Sequence, residues 1–347
     1  MLTRHPGPIV AVRSPLAGSK TRAAGAHRPR STISRTGPVT KRTLTVGFIG
    51  LGSMGSGMTR NLQASGFPLV VTDVRPEAAA DAVARGAVWV DTAAEVASRS
   101  DLVITMLPTP RHVDQVLRGP DGLLDALPSG GTWVDMSTSV PEVAERARAE
   151  RPDLRVLDAP VSGMSVGAAN GTLQIFIGGE ADDVERLREV FEAMGEPERI
   201  LHVGGHGAGY AVKLMINQLW FSHLIATAEV LSVGVKAGVD LEVLRRALVA
   251  SPANSNFVEH DVLSILDHGD YDEGFALALA CKDLGLSSDL ARSVGMPYEL
   301  SGLVDQQFRR AKAMYGERAG EMAPFRLYED LLGEPLRRAR AAAEVSR

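Results

Sequence analysis

Residues Thr45 to Gly55, TVGFIGLGSMG, decide the fold of this 347-residue chain. A short apolar run leads into a G-x-G-x-x-G turn and then into a helix-like segment that ends at Gly66. A strand, a glycine-rich turn and a helix in this order are the context that a dinucleotide-binding loop requires. Gly50 permits the tight turn, Gly52 lets the backbone approach a pyrophosphate, and Gly55 allows the helix to pack closely on the strand. The stretch therefore predicts a Rossmann-type α/β domain.

A second strand, PLVVTD, ends in Asp73, which lies 18 residues after Gly55. A carboxylate at this distance accepts hydrogen bonds from the ribose hydroxyls of the adenosine half. It also repels a 2'-phosphate, which Arg75 could attract instead. We therefore expect NAD as the preferred cofactor, with NADP as the alternative. The predicted cofactor loop itself consists of Gly50, Leu51, Gly52, Ser53, Met54 and Gly55.

Strand-like and helix-like segments alternate up to Thr138. The strand in DLVITMLP ends in Leu107 and Pro108, which should face the nicotinamide half of the cofactor. His112, in the next helix, is either a polar neighbour of the cofactor or a surface histidine. Thr138 follows another strand, where such sheets bind ligands or where a hydroxyl caps the next helix. The predicted segments are a helix over 76–85, a strand over 87–90, a helix over 92–99 and a strand over 132–138.

Residues 155–179 contain two strand-like runs around a loop rich in Gly, Ser and Ala. In this loop Ser162 and Gly163 offer a hydroxyl and an unobstructed backbone amide, a combination suited to holding a carboxylate. The same dipeptide is also an ordinary turn. A helix over 181–194 and a strand-like segment over 199–205 should complete the first domain, residues 43–204.

A long apolar helix is predicted over residues 207–238, and Lys213 lies inside it. Its apolar side chains point in all directions, which predicts burial nearly all round. Asn217 lies one turn later on the same face. Lys213 is therefore either a functional amine with a helper amide or a lysine whose charge reaches water. The helix should join the first domain to an all-α second domain, residues 205–340, where only helical patterns occur.

Lys282 and Asp283 follow an apolar run on a predicted helix of the second domain. The default interpretation of such neighbours is a surface ion pair. The alternative is that the second domain packs over the cofactor cleft and uses them there.

The composition is that of a soluble protein, with 45% apolar residues and enough length for two domains. We predict no membrane-spanning segment, because polar residues interrupt the longest apolar run. Cys281 is the only cysteine, so the sequence excludes an intrachain disulfide framework and favours a reducing compartment such as the cytoplasm. The eight histidines are scattered, and no metal site is predicted.

Residues 1–42 carry nine Lys or Arg and no Asp or Glu, and we predict a disordered basic leader. We favour a mis-assigned or non-functional start; the alternatives are a mitochondrial transit peptide, which would place the protein in the matrix, and an arm that contacts nucleic acid. Removing these nine charges from the formal net charge of −5 leaves −14 for residues 43–347, which argues against nucleic acid as a partner.

Together these features resemble the beta-hydroxyacid dehydrogenase family, whose members include 3-hydroxyisobutyrate dehydrogenase and tartronate semialdehyde reductase. The similarity extends from Val46 to about Leu336. Its motifs are GFIGLGSMG (47–55), TMLP (105–108), DMST (135–138), DAPVSG (158–163), GTL (171–173), GAGYAVKLMIN (207–217) and KDLGLSSDLA (282–291).

The resemblance implies an NAD(P)-dependent interconversion of a beta-hydroxy acid and its semialdehyde or keto form. It implies that Lys213 is the catalytic acid and base, and that Lys282 lies near the nicotinamide end of the cofactor. The substrate-binding positions that it implies are Ser162, Gly163 and Asn217. Two residues depart from the family pattern: Met164 replaces a glycine and Ile216 replaces an asparagine, which predicts an altered substrate pocket.

Two other functions remain open at this point. An enzyme that reduces imines shares the glycine fingerprint and the long helix but typically lacks the lysine. A non-catalytic dinucleotide-binding scaffold would also have lost it. We further expect a homodimer or homotetramer, because an apolar helical domain leaves large faces to cover.

Overall fold

The computed structural model describes residues 44–272 and 274–338. The predicted leader, residues 1–42, lies outside them. A nine-stranded sheet dominates the first half of the described chain. Its strands are β1 (Val46–Ile49), β2 (Leu69–Thr72), β3 (Val88–Trp89), β4 (Leu102–Thr105), β5 (Thr132–Asp135), β6 (Arg155–Asp158), β7 (Val161–Ser162), β8 (Leu173–Gly178) and β9 (Gly195–Gly204).

The sheet has the order β3-β2-β1-β4-β5-β6-β8-β7, with β9 paired to β8. The first six strands are parallel, whereas β8 runs antiparallel to β6 and β7 runs antiparallel to β8. The order reverses between β1 and β4, so the loops that follow these two strands diverge and open a crevice at their carboxyl ends. This topology confirms the predicted Rossmann-type α/β fold.

Helices cover both faces of the sheet, because alternate strand residues are buried in two separate cores. Phe48 packs with Leu62 on one face, and Ile49 packs with Val96 on the other. The helices of this half are α1 (Gly55–Ala64), α2 (Ala80–Ala84), α3 (Ala93–Ser98), α4 (Pro110–Arg118), α5 (Leu123–Ala126), α6 (Pro141–Glu150), α7 (Met164–Asn170), α8 (Ala181–Arg186) and α9 (Arg188–Glu192).

The Gly, Ser and Ala-rich loop predicted after Ser162 is in fact the short helix α7. The prediction was wrong because α7 owes its stability to a tertiary contact. A Cβ added to Gly57 on α1 would lie 2.7 Å from the backbone of Ala168, so glycine lets the two helices touch. Asn61 also donates a hydrogen bond from Nδ2 to the carbonyl oxygen of Ala168, at 2.7 Å.

Several other predicted boundaries differ from the structure, among them the strand predicted over 132–138, which ends at Asp135 as β5. The helix predicted over 76–85 begins as the 3₁₀ turn Pro76–Ala79 before α2, as a proline at a helix start permits. The helix predicted over 181–194 is divided at Leu187 into α8 and α9. The strand predicted over 199–205 starts earlier, as β9, because residues from Gly195 onward pair with β8.

The second half is helical and has a core of its own. It contains α10 (Ala208–Lys236), α11 (Leu241–Val249), two π-helical turns (Phe257–Asp261 and Ser264–His268), α12 (Leu277–Ser293), α13 (Glu299–Tyr315), the 3₁₀ turn Ala323–Phe325 and α14 (Arg326–Leu332). One isolated antiparallel bridge joins Ala276 to Gly320. This confirms the helical second half, while the domain limits 43–204 and 205–340 stay predictions.

Helix α10 contacts the sheet at its start and the other helices along the rest of its length. Tyr210 belongs to a core of the first half, whereas Leu224 and Leu231 belong to the helical core. The predicted burial nearly all round is wrong, because Leu219 and Val233 are exposed on the outer side of α10 in the single chain. Within the described residues, no helix is both long and apolar enough to cross a membrane.

Met164, at the start of α7, has a backbone φ of +57°, in the left-handed region that favours glycine. A residue with a Cβ in this conformation costs about 1–2 kcal/mol. This is one of the two positions where the sequence departs from the pattern that the resemblance implies, which has glycine here.

Replacing Met164 by glycine should relieve this backbone strain. Met164→Ala is the matched control, because it removes the same side-chain contacts but keeps the Cβ. We expect the glycine variant to have a free energy of unfolding about 1 kcal/mol higher than the alanine variant, measured by urea denaturation. An alanine variant as stable as the glycine variant would contradict the assignment of strain.

Candidate active site

The glycine-rich turn after β1 is tightly packed at Gly50 and Gly55 and open at Gly52. A Cβ on Gly50 would lie 2.3 Å from the carbonyl oxygen of Met106, and a Cβ on Gly55 would lie 1.9 Å from the oxygen of Gly50. A Cβ on Gly52, by contrast, would meet no atom within 4 Å. The backbone at Gly52 therefore faces open space at the start of α1, and the turn fits a dinucleotide pyrophosphate.

Asp73 lies just after β2 and is fixed against this turn. Its Oδ2 accepts a hydrogen bond from the backbone nitrogen of Leu51 at 2.7 Å, and its Oδ1 accepts one from the nitrogen of Arg75 at 2.9 Å. The Arg75 side chain is mostly exposed, with its Nε 3.7 Å from the same carboxylate. The carboxylate thus stands beside the turn, as the sequence predicts for a ribose-binding residue.

Lys282 connects the helical half to the carboxyl ends of two strands. Its Nζ donates to the carbonyl oxygen of Pro108, after β4, at 2.8 Å and to that of Thr138, after β5, at 3.3 Å. Leu107 also belongs to this group, because its backbone nitrogen donates to Ser137 Oγ at 2.8 Å. Four predicted cofactor-site positions therefore lie together at one edge of the sheet.

His112 lies apart from this group. It is exposed in the first turn of α4, where its Nδ1 lies 2.7 Å from Oγ1 of Thr109, the residue that caps the helix. The Thr109 hydroxyl, which also accepts a hydrogen bond from the His112 backbone nitrogen, is the side-chain partner that the structure gives His112. This fits the surface-histidine interpretation.

Lys213 is buried on α10, with 8% of its surface exposed. Burial lowers the pKa of its amine to about 8, the nearby Asp283 carboxylate opposes that shift, and the charge of Lys282 adds to it. The snorkelling alternative requires a hydrated charge, which this burial does not provide. Among the described residues no hydrogen-bond partner holds Nζ, so the amine is available to a ligand.

Asp283 is the residue that the sequence interpretation misplaced. Of the two interpretations given for Lys282 and Asp283, the surface ion pair is wrong, because Asp283 is 1% exposed. Its Oδ2 accepts a hydrogen bond from Asn217 Nδ2 at 2.7 Å. Its Oδ1 lies 2.9 Å from Lys282 Nζ, an ion pair that lacks hydrogen-bond alignment. One signal could have identified it: the half-buried amide of Asn217, one turn from Lys213, needs an acceptor.

Ser162 and Gly163 lie at the sheet edge, at the end of β7 and the start of α7. Ser162 is half-buried and pairs with Gln174 on β8, and Gly163 is exposed with a φ of +125°. In the described part of the chain, no hydrogen bond joins either residue to Lys213 or Asn217. The carboxylate-binding role assigned to Ser162 and Gly163 therefore stays a prediction.

The described residues do not provide a metal site. Within residues 44–272 and 274–338, no three His, Cys, Asp or Glu side chains are arranged to hold a metal ion.

Two sequence families match this chain, one over each half. Residues 45–205 match the NAD binding domain of 6-phosphogluconate dehydrogenase, and residues 207–328 match the NAD-binding domain of NADP-dependent 3-hydroxyisobutyrate dehydrogenase. The chain is 36% identical to NAD-dependent L-serine dehydrogenase of Pseudomonas aeruginosa, covering 79% of this chain and 94% of that protein. It is 33% identical to 2-(hydroxymethyl)glutarate dehydrogenase of Eubacterium barkeri, covering 84% and 97%.

A solved structure of Mycobacterium tuberculosis 3-hydroxyisobutyrate dehydrogenase with L-serine is similar over most of the chain. It superposes with a TM-score of 0.76 at 30% identity, covering 82% of this chain and 98% of that one. Fold and sequence thus define an NAD(P)-dependent hydroxyacid dehydrogenase. The chain belongs to the beta-hydroxyacid dehydrogenase family.

Proposed function

We propose that this protein interconverts a beta-hydroxy acid and its semialdehyde or keto form, with Lys213 as the general acid and base. The observation that carries the proposal is the buried amine of Lys213, whose pKa lies at about 8, beside the Asn217–Asp283 pair. An ordinary lysine, with a pKa near 10.5, is almost fully protonated at neutral pH and is a poor base.

Hydride transfer requires that the substrate hydroxyl lose its proton as the hydride leaves the carbon. The dinucleotide, when bound, supplies the nicotinamide ring that exchanges the hydride. Lys213 accepts the hydroxyl proton at Nζ in the oxidation and returns it to the carbonyl oxygen in the reduction. The neutral amine is the active form for oxidation, so oxidation should become faster as the pH rises through about 8.

Other residues would orient the substrate hydroxyl, hold the loops at the nicotinamide and bind the substrate carboxylate. One Nδ2 hydrogen of Asn217 is occupied by Asp283, which fixes the amide and leaves its Oδ1 free to orient a hydroxyl. Lys282 holds the loops after Pro108 and Thr138 together where the nicotinamide would lie. Ser162 and Gly163 would hold the substrate carboxylate.

The substrates named for the relatives share one chemical feature, a hydroxymethyl group on the carbon next to a carboxylate. We infer that this chain uses a substrate of the same class. Met164 and Ile216 replace a small and a polar residue of the family pattern, so the substrate should carry a different, more apolar substituent than those of the best-known members.

NAD is the cofactor that Asp73 favours, because a fixed carboxylate repels a 2'-phosphate. We also propose a homodimer or homotetramer, since exposed apolar residues such as Leu219 and Val233 line the outer side of α10. A reducing compartment such as the cytoplasm fits the single free Cys281.

Lys213→Ala should lower kcat by about 10² or more, because the proton loses its acceptor, while the affinity for NADH stays nearly unchanged. The assay is a panel of beta-hydroxy acids and semialdehydes followed by NADH absorbance. Lys236→Ala, at an exposed lysine on the same helix, is the control and should keep wild-type kcat. Wild-type turnover in Lys213→Ala would refute its catalytic role. Failure of the whole panel, with turnover of a cyclic imine, would refute the substrate class.

Asp73→Ala should weaken NAD binding and reduce the discrimination against NADP, because the repulsive charge is lost. The measurement is the ratio of kcat/KM values for the two cofactors. Asp101→Ala is the matched control, since Asp101 accepts a hydrogen bond from the backbone nitrogen of Thr45 at the opposite end of β1. An unchanged cofactor ratio in Asp73→Ala would argue against the preference for NAD.

A further inference from the structure

A buried carboxylate at the end of β5 joins the two sides of the candidate site. Asp135 has no exposed surface. Its Oδ1 accepts hydrogen bonds from Thr105 Oγ1 at 2.7 Å and from Ser137 Oγ at 2.6 Å, and its Oδ2 accepts one from the Tyr210 hydroxyl at 2.8 Å. Its three side-chain donors therefore come from β4, from the loop after β5 and from α10.

One side of this network leads to the cofactor. Ser137 donates its hydroxyl hydrogen to Asp135 and accepts a hydrogen bond from the backbone nitrogen of Leu107, at 2.8 Å. Leu107 precedes Pro108, whose carbonyl oxygen is held by Lys282. Ser137 therefore connects the loop after β4 to Asp135 by two hydrogen bonds.

The other side leads to the reactive amine. Tyr210 lies three residues before Lys213 on α10, a spacing that places both on one face of the helix. The first turn of α10 is held at a second point by Asp158, whose two oxygens accept from the backbone nitrogens of Gly207, at 2.7 Å, and Tyr210, at 3.0 Å. Asp135 and Asp158 are register partners on β5 and β6, so the helix starts directly on the sheet.

We propose that Asp135 is a positioning residue that fixes Lys213 relative to the nicotinamide-facing loop, by holding Tyr210 on one oxygen and Ser137 on the other. The inference rests on the proposed function, since it concerns the same amine. Asp135 does not touch the substrate in this scheme. It ties the loop at Leu107 and the first turn of α10 to the same carboxylate.

The physical basis is the cost of leaving a buried carboxylate with missing donors. Burial raises the pKa of Asp135, and the hydrogen bonds from Ser137, Thr105 and Tyr210 oppose that shift. Loss of the Tyr210 hydroxyl leaves Asp135 Oδ2 without its side-chain donor, and loss of the Ser137 hydroxyl leaves the backbone nitrogen of Leu107 without its acceptor. The loop or the helix then shifts, and a displacement of about 1 Å at a reacting group can cost 10²-fold in rate.

The test uses two single variants and their combination in the full chain. Tyr210→Phe removes only the link to α10, and Ser137→Ala removes only the link to the loop. We expect each to lower kcat about 10-fold or more, and the double variant to be no slower than the slower single, because both links act through Asp135. Ser137→Ala should also weaken NADH binding, and Tyr210→Phe should not.

Each variant has a matched control. Ser139 is as buried as Ser137, but its hydroxyl has no partner among the described residues, so Ser139→Ala should keep wild-type kcat. Tyr315 donates its hydroxyl to Asp330 at an exposed place in the helical half, so Tyr315→Phe removes a tyrosine–carboxylate hydrogen bond away from the site. Single variants that behave like these controls, or a double variant whose loss is the product of the two, would overturn the proposal.

A second readout is independent of turnover. Acetic anhydride labels neutral lysine amines, and mass spectrometry reports the pH at which Lys213 is half-labelled. Asp283 and Lys282, both on α12, are the charged groups that act on Lys213. In Tyr210→Phe the half-labelling pH should rise toward the ordinary lysine value, because a shifted helix start admits water. An unchanged value would contradict the positioning role even if no beta-hydroxy acid were turned over.

Discussion

The protonation state of one buried amine depends on two opposing influences. Removal of Lys213 from water favours the neutral amine, the carboxylate of Asp283 favours the ammonium, and the charge of Lys282 adds to the first effect. Their balance leaves the pKa at about 8, where both forms are present near neutral pH. This balance requires that α10 and α12 stay packed together, and Asn217 ties them by its hydrogen bond to Asp283. The helical half therefore does more than cover the cofactor, since it sets the chemistry of the amine.

The sheet determines the position of the Lys213 amine, because the start of α10 is hydrogen-bonded to it. The glycine-rich turn, Asp73 and the loops at Pro108 and Thr138 all lie at the carboxyl ends of parallel strands, where the strand order reverses. Asp158 holds the start of α10 at the same edge, and burial raises the pKa of its carboxyl group to about 6 while backbone donors oppose the shift. Because its start is fixed in this way, α10 contributes residues to the cores of both halves of the chain.

Short-range patterns predicted much of this arrangement, and long-range contacts account for most of the rest. The fingerprint at Gly50 and the pair Lys213 and Asn217 are visible because their spacing is local. The roles of Asp283 and Asp135 are not, because the donors that tie them to α10, Asn217 and Tyr210, lie 66 and 75 residues away. Helix α7 was missed for the same reason, since its contacts with α1 stabilise it. The exposed side of α10 could not be predicted from an apolar pattern that has no polar face.

The most direct test of the account is the pKa of Lys213 in the free enzyme. The chain has six lysines, so a protein labelled with ¹³C at the lysine ε-carbons gives a small set of NMR signals, and the spectrum of Lys213→Arg assigns the one that matters. We predict that this signal titrates with a pKa of about 8. A titration at the ordinary value of 10.5 would show a hydrated, protonated amine and would contradict its role as the base.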